Sequence, residues 1–403
     1  MMRDHRDLVR FSSAKDPDYK RVIGHIRPLM VDAVPQLRIR KKAQVLDEDK
    51  VGLIKRLFRG AVDMLVELET LPDKSTTYEW LIQRPEFVEW RNNKSLCNCL
   101  WIEGPPGYGK TDASVVTTKF LAGSILEENN HVSHREQKTL YACFFCSDKP
   151  GCSTAEDLLK SILLQIIGQF PKLAMYAEEF LDQDPTSDEA REARGPFRQL
   201  RATLTIEHMW NCLKDMLEDI SLHAVFIVVN NLHHLDQNES LEKLLQRMRL
   251  EFSLSAQPGR TSTPSQYGRW LFTTFSETRD DISGCLDPTG TGLKVRKVNL
   301  RDSQFAGQIK TALTRHVQLK ASELKSAKNY DLSLVFEVEK IMESKAENTV
   351  WVDIICLQLG TLPPSSGRLL IRDRLEAAAR GNLKKLVKES WEWVSAPQSY
   401  LVL

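Results

Sequence analysis

From about residue 76 onward, apolar runs and helical stripes alternate along the chain, and the alternation predicts a parallel sheet covered by helices. Near-continuous apolar runs stand at CNCLWIEG, TLYACFFC, AVFIVVN and RWLFTTF. A strand buried on both faces reads this way, whereas a strand with one wet face alternates apolar and polar residues. Between these runs lie TDASVVTTKFLAGSILEE, AEDLLKSILLQIIGQF, IEHMWNCLKDMLEDI and ESLEKLLQRMRLEF, each long enough for a helix. Strands that alternate with helices give an α/β fold with helices on both faces.

The flanks read differently. Val51, Ile54, Leu57, Phe58, Val62, Leu65 and Leu68 recur at steps of three and four, which predicts an amphipathic helix in an N-terminal segment over residues 1–75. The polar stretches 182–196 and 253–268 read as surface loops. After about residue 300 the pattern turns helical and stays so. The expected organisation is a sheet domain over 76–290, a helical lid over 291–362 and a helical tail over 363–403. No internal repeat of fixed period interrupts it.

Composition narrows the function classes. With 403 residues the chain has room for two or three domains. A net charge of +1 argues for neither a nucleic-acid nor a membrane-surface partner, and the basic stretch Arg38 to Lys42 reads as a solvated helix face. No apolar run reaches membrane-spanning length, and MMRDHRDLVRF lacks the apolar core of a signal peptide. Eight cysteines are too few for a disulfide scaffold, so the expected location is the cytoplasm. Cys143, Cys146 and Cys152 are spaced like part of a metal site, but Cys143 sits inside LYACFFC, where cysteine behaves as a small core residue.

The candidate chemistry lies in GPPGYGKT, Gly104 to Thr111, which has the form G-x-x-x-x-G-K-[ST] between a strand and a helix. Gly104, Gly107 and Gly109 allow a tight backbone turn whose N–H groups point into one concavity, and the helix N-terminus adds its dipole. The loop residues Gly104, Pro105, Pro106, Gly107, Tyr108, Gly109, Lys110 and Thr111, with Asp112 after them, are the expected phosphate-binding set. Lys110 is expected to reach the β- and γ-phosphates, and the Thr111 hydroxyl to coordinate magnesium. The fold class is therefore a P-loop NTPase-type parallel sheet.

A second motif should follow at the end of AVFIVV. There an acid is expected to orient the metal's water shell, but the chain has Asn230. An amide brings no negative charge and cannot act as a base. His233, His234 and Asp236 are the nearby candidates for catalytic groups, and sequence alone does not place them. Loss of a positioned base costs about 10² to 10⁴ in rate, so slow hydrolysis or none is expected.

At this point the residues resemble a family. TYEWLIQRPEFVEWRNN followed by LCNCLWIEGPPGYGKT is similar to the entry of the NACHT domain of fungal STAND (NOD-like receptor-type) proteins. YACFFC with LLKSILLQIIGQFP, GRWLFTTFSETR and KAENTVWVDIICLQL resemble later family motifs in the family's order. The resemblance implies ATP or ADP as ligand with magnesium, although the motifs do not separate ATP from GTP. It also implies partners among other NACHT/STAND chains or a second copy.

The departures from the family are grouped. Asn230 stands at the family's metal-binding Asp, and His233 and His234 at its following acids. Phe275 stands at its phosphate-sensing Arg and Ser276 at the Pro after it. Thr274 keeps a hydroxyl that could report on phosphate, and Arg279 is the next Arg downstream. The tail after TLPPSSG is short for the winged helix and repeat array that family members carry, so truncation is expected. Three functions remain open: a nucleotide-binding switch with impaired hydrolysis, an active NTPase using His233, His234 or Asp236, or a nucleotide-free interaction scaffold.

Overall fold

The computed structural model describes residues 48–58, 62, 64, 65, 68, 75–92, 98–131, 137–180, 204–254, 268–276, 280–286, 295–328, 330–362 and 368–380. The Arg38–Lys42 stretch, the 182–196 loop, nearly all of the 253–268 loop, Arg279 and most of the tail lie outside them. The chain divides into two compact units, Met1–Arg59 with Phe170–Thr203, and Gly60–Gln169 with Leu204–Leu403. In the first, Ile54 of helix α1 (Glu48–Leu57), Phe58 just after that helix and Phe180 at the end of a 3-10 segment (Pro171–Phe180) are buried. The Phe58 and Phe180 rings meet edge to face, with centroids 6.1 Å apart.

The second unit is built on five parallel strands: β1 (Cys99–Glu103), β2 (Lys138–Phe145), β3 (Leu222–Asn230), β4 (Gly268–Thr274) and β5 (Val295–Asn299). Their order is β2-β3-β4-β1-β5, so β1 lies between β4 and β5. Every residue of β1 and β4 is buried, as is every residue of β3 except His223. That burial explains their continuous apolar sequences. Helices α2 (Ser75–Ile82) and α3 (Pro85–Asn92) precede β1, and α4 (Lys110–His131) and α5 (Ala155–Gln169) flank β2. Helix α6 (Ile206–Leu217) leads into β3, and α7 (Glu239–Leu254) and α8 (Asp280–Leu286) flank β4. The P-loop-type sheet with helices expected from the pattern is the observed fold.

The edges of the sheet show what the pattern concealed. Strand β5, Val-Arg-Lys-Val-Asn, was not among the expected strands because only Val298 in it is buried. It is an edge strand, held in register by Leu100↔Arg296 and Ile102↔Val298 and by an ion pair of Lys297 with Glu103 at 3.1 Å. At the other edge, two glutamines of α5 replace the missing neighbour strand. Gln165 accepts from the Cys143 N–H at 2.9 Å and donates to its carbonyl at 2.8 Å. Gln169 does the same for Tyr141, at 3.3 and 2.5 Å. The i, i+4 step on the helix matches the i, i+2 step on the strand, so the β2 edge offers fewer open groups to another chain.

After the sheet the same unit continues in helices α9 (Ala306–Lys328), α10 (Leu332–Lys345), α11 (Thr349–Thr361) and α12 (Arg368–Arg380). Val317, Leu324, Val338, Met342, Trp351, Ile355, Leu359, Ile371 and Leu375 form their common core. Asp331 caps α10 by accepting from the Leu334 N–H at 2.9 Å, and Asn348 caps α11 by accepting from the Trp351 N–H at 3.0 Å. The Asn348 cap fixes where α11 begins, and that position matters at the phosphate loop. Cys143, Cys146 and Cys152 are all buried.

Candidate functional site

The carboxyl ends of β1, β3 and β4 converge where the strand order sends the chain to opposite sides of β1, the usual location of a ligand crevice in such sheets. The loop from Gly104 to Gly109 leaves β1 there, and α4 begins at Lys110. Gly107 and Gly109 adopt φ of 77° and 76°, conformations that L side chains rarely take. At Gly109 the close approach is equally demanding, because a Cβ there would lie 1.5 Å from the Tyr78 hydroxyl. Tyr78, from α2, donates to the Tyr108 carbonyl at 3.1 Å. Burial keeps its phenol protonated far above neutral pH.

Lys110 is 5% exposed and folds across the loop. Its ammonium donates to the carbonyls of Gly104 and Pro105 at 2.7 and 2.8 Å and lies 4.6 Å from the centre of the Phe275 ring. Phe275 thus offers Lys110 a neutral π face where a cationic side chain would repel it. Burial lowers the Lys110 pKa to about 8 from an ordinary 10.5.

The unfolded chain holds the Lys110 proton more tightly, so its stability contribution rises as pH climbs from about 8 to 10.5. A bound polyphosphate favours the ammonium form, so affinity falls as pH passes about 8. Calorimetric titration with ADP is expected to give about tenfold weaker binding at pH 9 than at pH 7, with proton uptake at the higher pH.

The end of β3 holds a closed set of polar side chains. Asn230 is 1% exposed, and its Oδ1 accepts from the Ser114 hydroxyl at 3.0 Å and the Thr273 hydroxyl at 2.8 Å. Its Nδ2 donates to the Thr111 hydroxyl at 3.2 Å. Asn231 takes φ of 55°, a left-handed conformation that asparagine tolerates. There its backbone N–H donates to the Thr273 hydroxyl at 2.8 Å, and its side-chain amide lies 3.5 Å from the Thr111 hydroxyl.

The other expected residues make different contacts. The Thr274 hydroxyl accepts from the Trp101 indole at 2.8 Å and is fully buried, so its hydroxyl serves the contact between β4 and β1. The His233 ring packs against Phe275 in a tilted arrangement with centroids 3.7 Å apart, and His234 sits 3.8 Å from Asp148. Asp236 is exposed, receives the Ser153 hydroxyl at 3.2 Å and donates its backbone N–H to the Ser153 carbonyl. Asp112 lies in the first turn of α4, and its charge helps keep Tyr78 protonated.

The sequence reading missed Ser114, Thr273, Tyr78, Asn348 and Thr349. Ser114 was within reach, since it stands one helical turn past Thr111 and so shares its face. The last two are the N-cap and the first residue of α11. Thr349 donates its backbone N–H and its hydroxyl to the Gly107 carbonyl at 3.1 and 3.0 Å. The Asn348 side chain packs so closely on Gly107 that a Cβ there would lie 2.7 Å from its Oδ1.

Comparison with known proteins supports part of this picture. A family model described as Nephrocystin 3, N-terminal, matches residues 76–257. That segment carries the loop and the first three strands. No curated protein matches the chain. A solved DNA replication initiation factor aligns over 81% of this chain and 91% of its own at 10% identity. Its TM-score of 0.28 is too low to bear on fold or function. Among the described residues no helix is long and apolar enough to cross a membrane.

Proposed function

We propose that the protein is a nucleotide-binding switch module of the NACHT/STAND, NOD-like receptor type, which holds ATP or ADP and hydrolyses it slowly or not at all. The sheet domain, about residues 76–290, binds the nucleotide, and the helical lid, about 291–362, responds to it. Other NACHT/STAND chains or a second copy are its partners.

The observation that carries this reading is the pair of hydrogen bonds from Thr349 to the Gly107 carbonyl. The phosphate loop and the first turn of α11 cannot move independently while those bonds hold. Two such bonds contribute about 1–3 kcal/mol. A nucleotide at a hundred times its Kd contributes about 2.7 kcal/mol. The two are of one size, so a nucleotide that binds one position of the lid in preference to the other tips the balance between them. Impaired hydrolysis is supported by Asn230, an amide where an acid is needed.

Millimolar ADP or ATP is expected to raise the melting temperature by several degrees and to change amide exchange over residues 349–361. An unmoved melting temperature would refute nucleotide binding. A raised melting temperature with unaltered exchange in α11 would leave a binder and remove the switch.

A further inference from the structure

A phosphate loop ending in Lys-Thr implies magnesium on the threonine hydroxyl, so the polarity of the groups around Thr111 is decisive. A metal ion takes a lone pair from the hydroxyl and needs acceptors nearby to hold its water shell. Here the neighbours are donors. The Asn230 and Asn231 amides both direct N–H groups at the Thr111 oxygen, at 3.2 and 3.5 Å.

The orientation of the Asn230 amide is fixed by the groups behind it. The Thr273 hydroxyl accepts from a backbone N–H, that of Asn231, which cannot reverse its role. Ser114 and Thr273 are both fully buried, and each has one hydroxyl proton to place. Oδ1 of Asn230 receives both protons. Turned over, the amide would leave two buried hydroxyl protons facing N–H groups, at a cost the observed arrangement avoids. Nδ2 therefore faces Thr111.

Two carboxylates near the strand ends are engaged with other groups. Glu103 is paired with Lys297 at 3.1 Å and Asp236 receives Ser153. Among the described residues no group of three or more histidines, cysteines and acids could hold a metal ion. The donor set does not fit magnesium.

We infer that the site takes the polyphosphate of a nucleoside di- or triphosphate as the free anion, without a divalent cation. With its lone pairs turned to two amides, the Thr111 hydroxyl presents its proton and donates to a phosphate oxygen. Asn230 is a positioning residue that sets this polarity. The inference rests on the nucleotide binding proposed above and adds the form in which the ligand is bound.

The test is calorimetric titration of ATP and ADP into the full chain, in millimolar magnesium and in EDTA. Affinity in EDTA is expected to equal or exceed that in magnesium, because magnesium removes the free anion from solution. Affinity about tenfold or more weaker in EDTA would overturn the inference while leaving nucleotide binding intact. No heat in either medium would instead refute nucleotide binding, and this inference with it.

Asn230→Asp supplies a second arm. Its carboxylate accepts where the amide donates, so magnesium is expected to tighten ADP binding by about tenfold in this variant alone. A variant that keeps the native circular dichroism spectrum and gains no magnesium dependence would show that Asn230 does not set the polarity. If the variant does not fold, the wild-type comparison in the two media decides.

Discussion

Lys110→Met is expected to weaken ADP binding by about 100-fold while leaving the melting temperature of the ligand-free protein within a few degrees of wild type. The binding loss follows from removing a cation that reaches across the loop. Truncating a charged, hydrogen-bonded partner of a buried anion costs about 2–5 kcal/mol, and about 2.8 kcal/mol corresponds to 100-fold. The fold tolerates the change because two effects oppose each other. The carbonyls of Gly104 and Pro105 lose a donor, but the protein no longer buries an ammonium whose desolvation is large enough to bring its pKa to about 8. Methionine keeps the volume and the contact with Phe275. Calorimetric titration of the variant, paired with thermal unfolding, checks both halves. Undiminished binding would mean that phosphate does not occupy this loop.

Gly109→Ala is expected to destabilise the second unit by about 2–5 kcal/mol, through local causes that add. A left-handed conformation costs an alanine about 1–2 kcal/mol, and overpacking a filled site about 1–3 kcal/mol more. The overpacking is specific. The new methyl would stand 1.5 Å from the hydroxyl and 2.1 Å from Cζ of Tyr78, a ring only 2% exposed. Urea unfolding measures the loss. The double variant Tyr78→Ala with Gly109→Ala should lose less than the sum of the singles, because removing the ring removes the clash. Strict additivity would show that Tyr78 does not press on the loop in solution.

Much of this protein was legible in order of residues alone, and the reasons are physical. Strands β1, β3 and β4 announce themselves because burial on both faces forces nearly every position to be apolar. The phosphate loop is legible because its geometry needs glycine at Gly107 and Gly109 and a cation at Lys110, all within one short stretch. Strand β5 was not legible, because an edge strand with one buried residue, Val298, carries no strong pattern. That Thr273 and not Thr274 meets Asn230 was hidden for a similar reason. Neighbouring residues on a strand face opposite ways, and only the register with β1 and β3 shows which hydroxyl meets Asn230 and which meets Trp101.

Local sequence, then, determined the class of sheet, the phosphate loop and the presence of an amide, Asn230, at the end of AVFIVV, since each depends on residues near one another in the chain. Tertiary structure decided what those residues do. Tyr78 reaches the loop from 30 residues before Tyr108, and Thr349 reaches Gly107 across 242. The same holds for the direction of the Asn230 amide. It is set by Ser114 and Thr273, 116 and 43 residues away, whose protons must go somewhere once water is excluded. Hydrogen-bond polarity in a closed site is a property of all its members at once, and a linear sequence does not state who those members are.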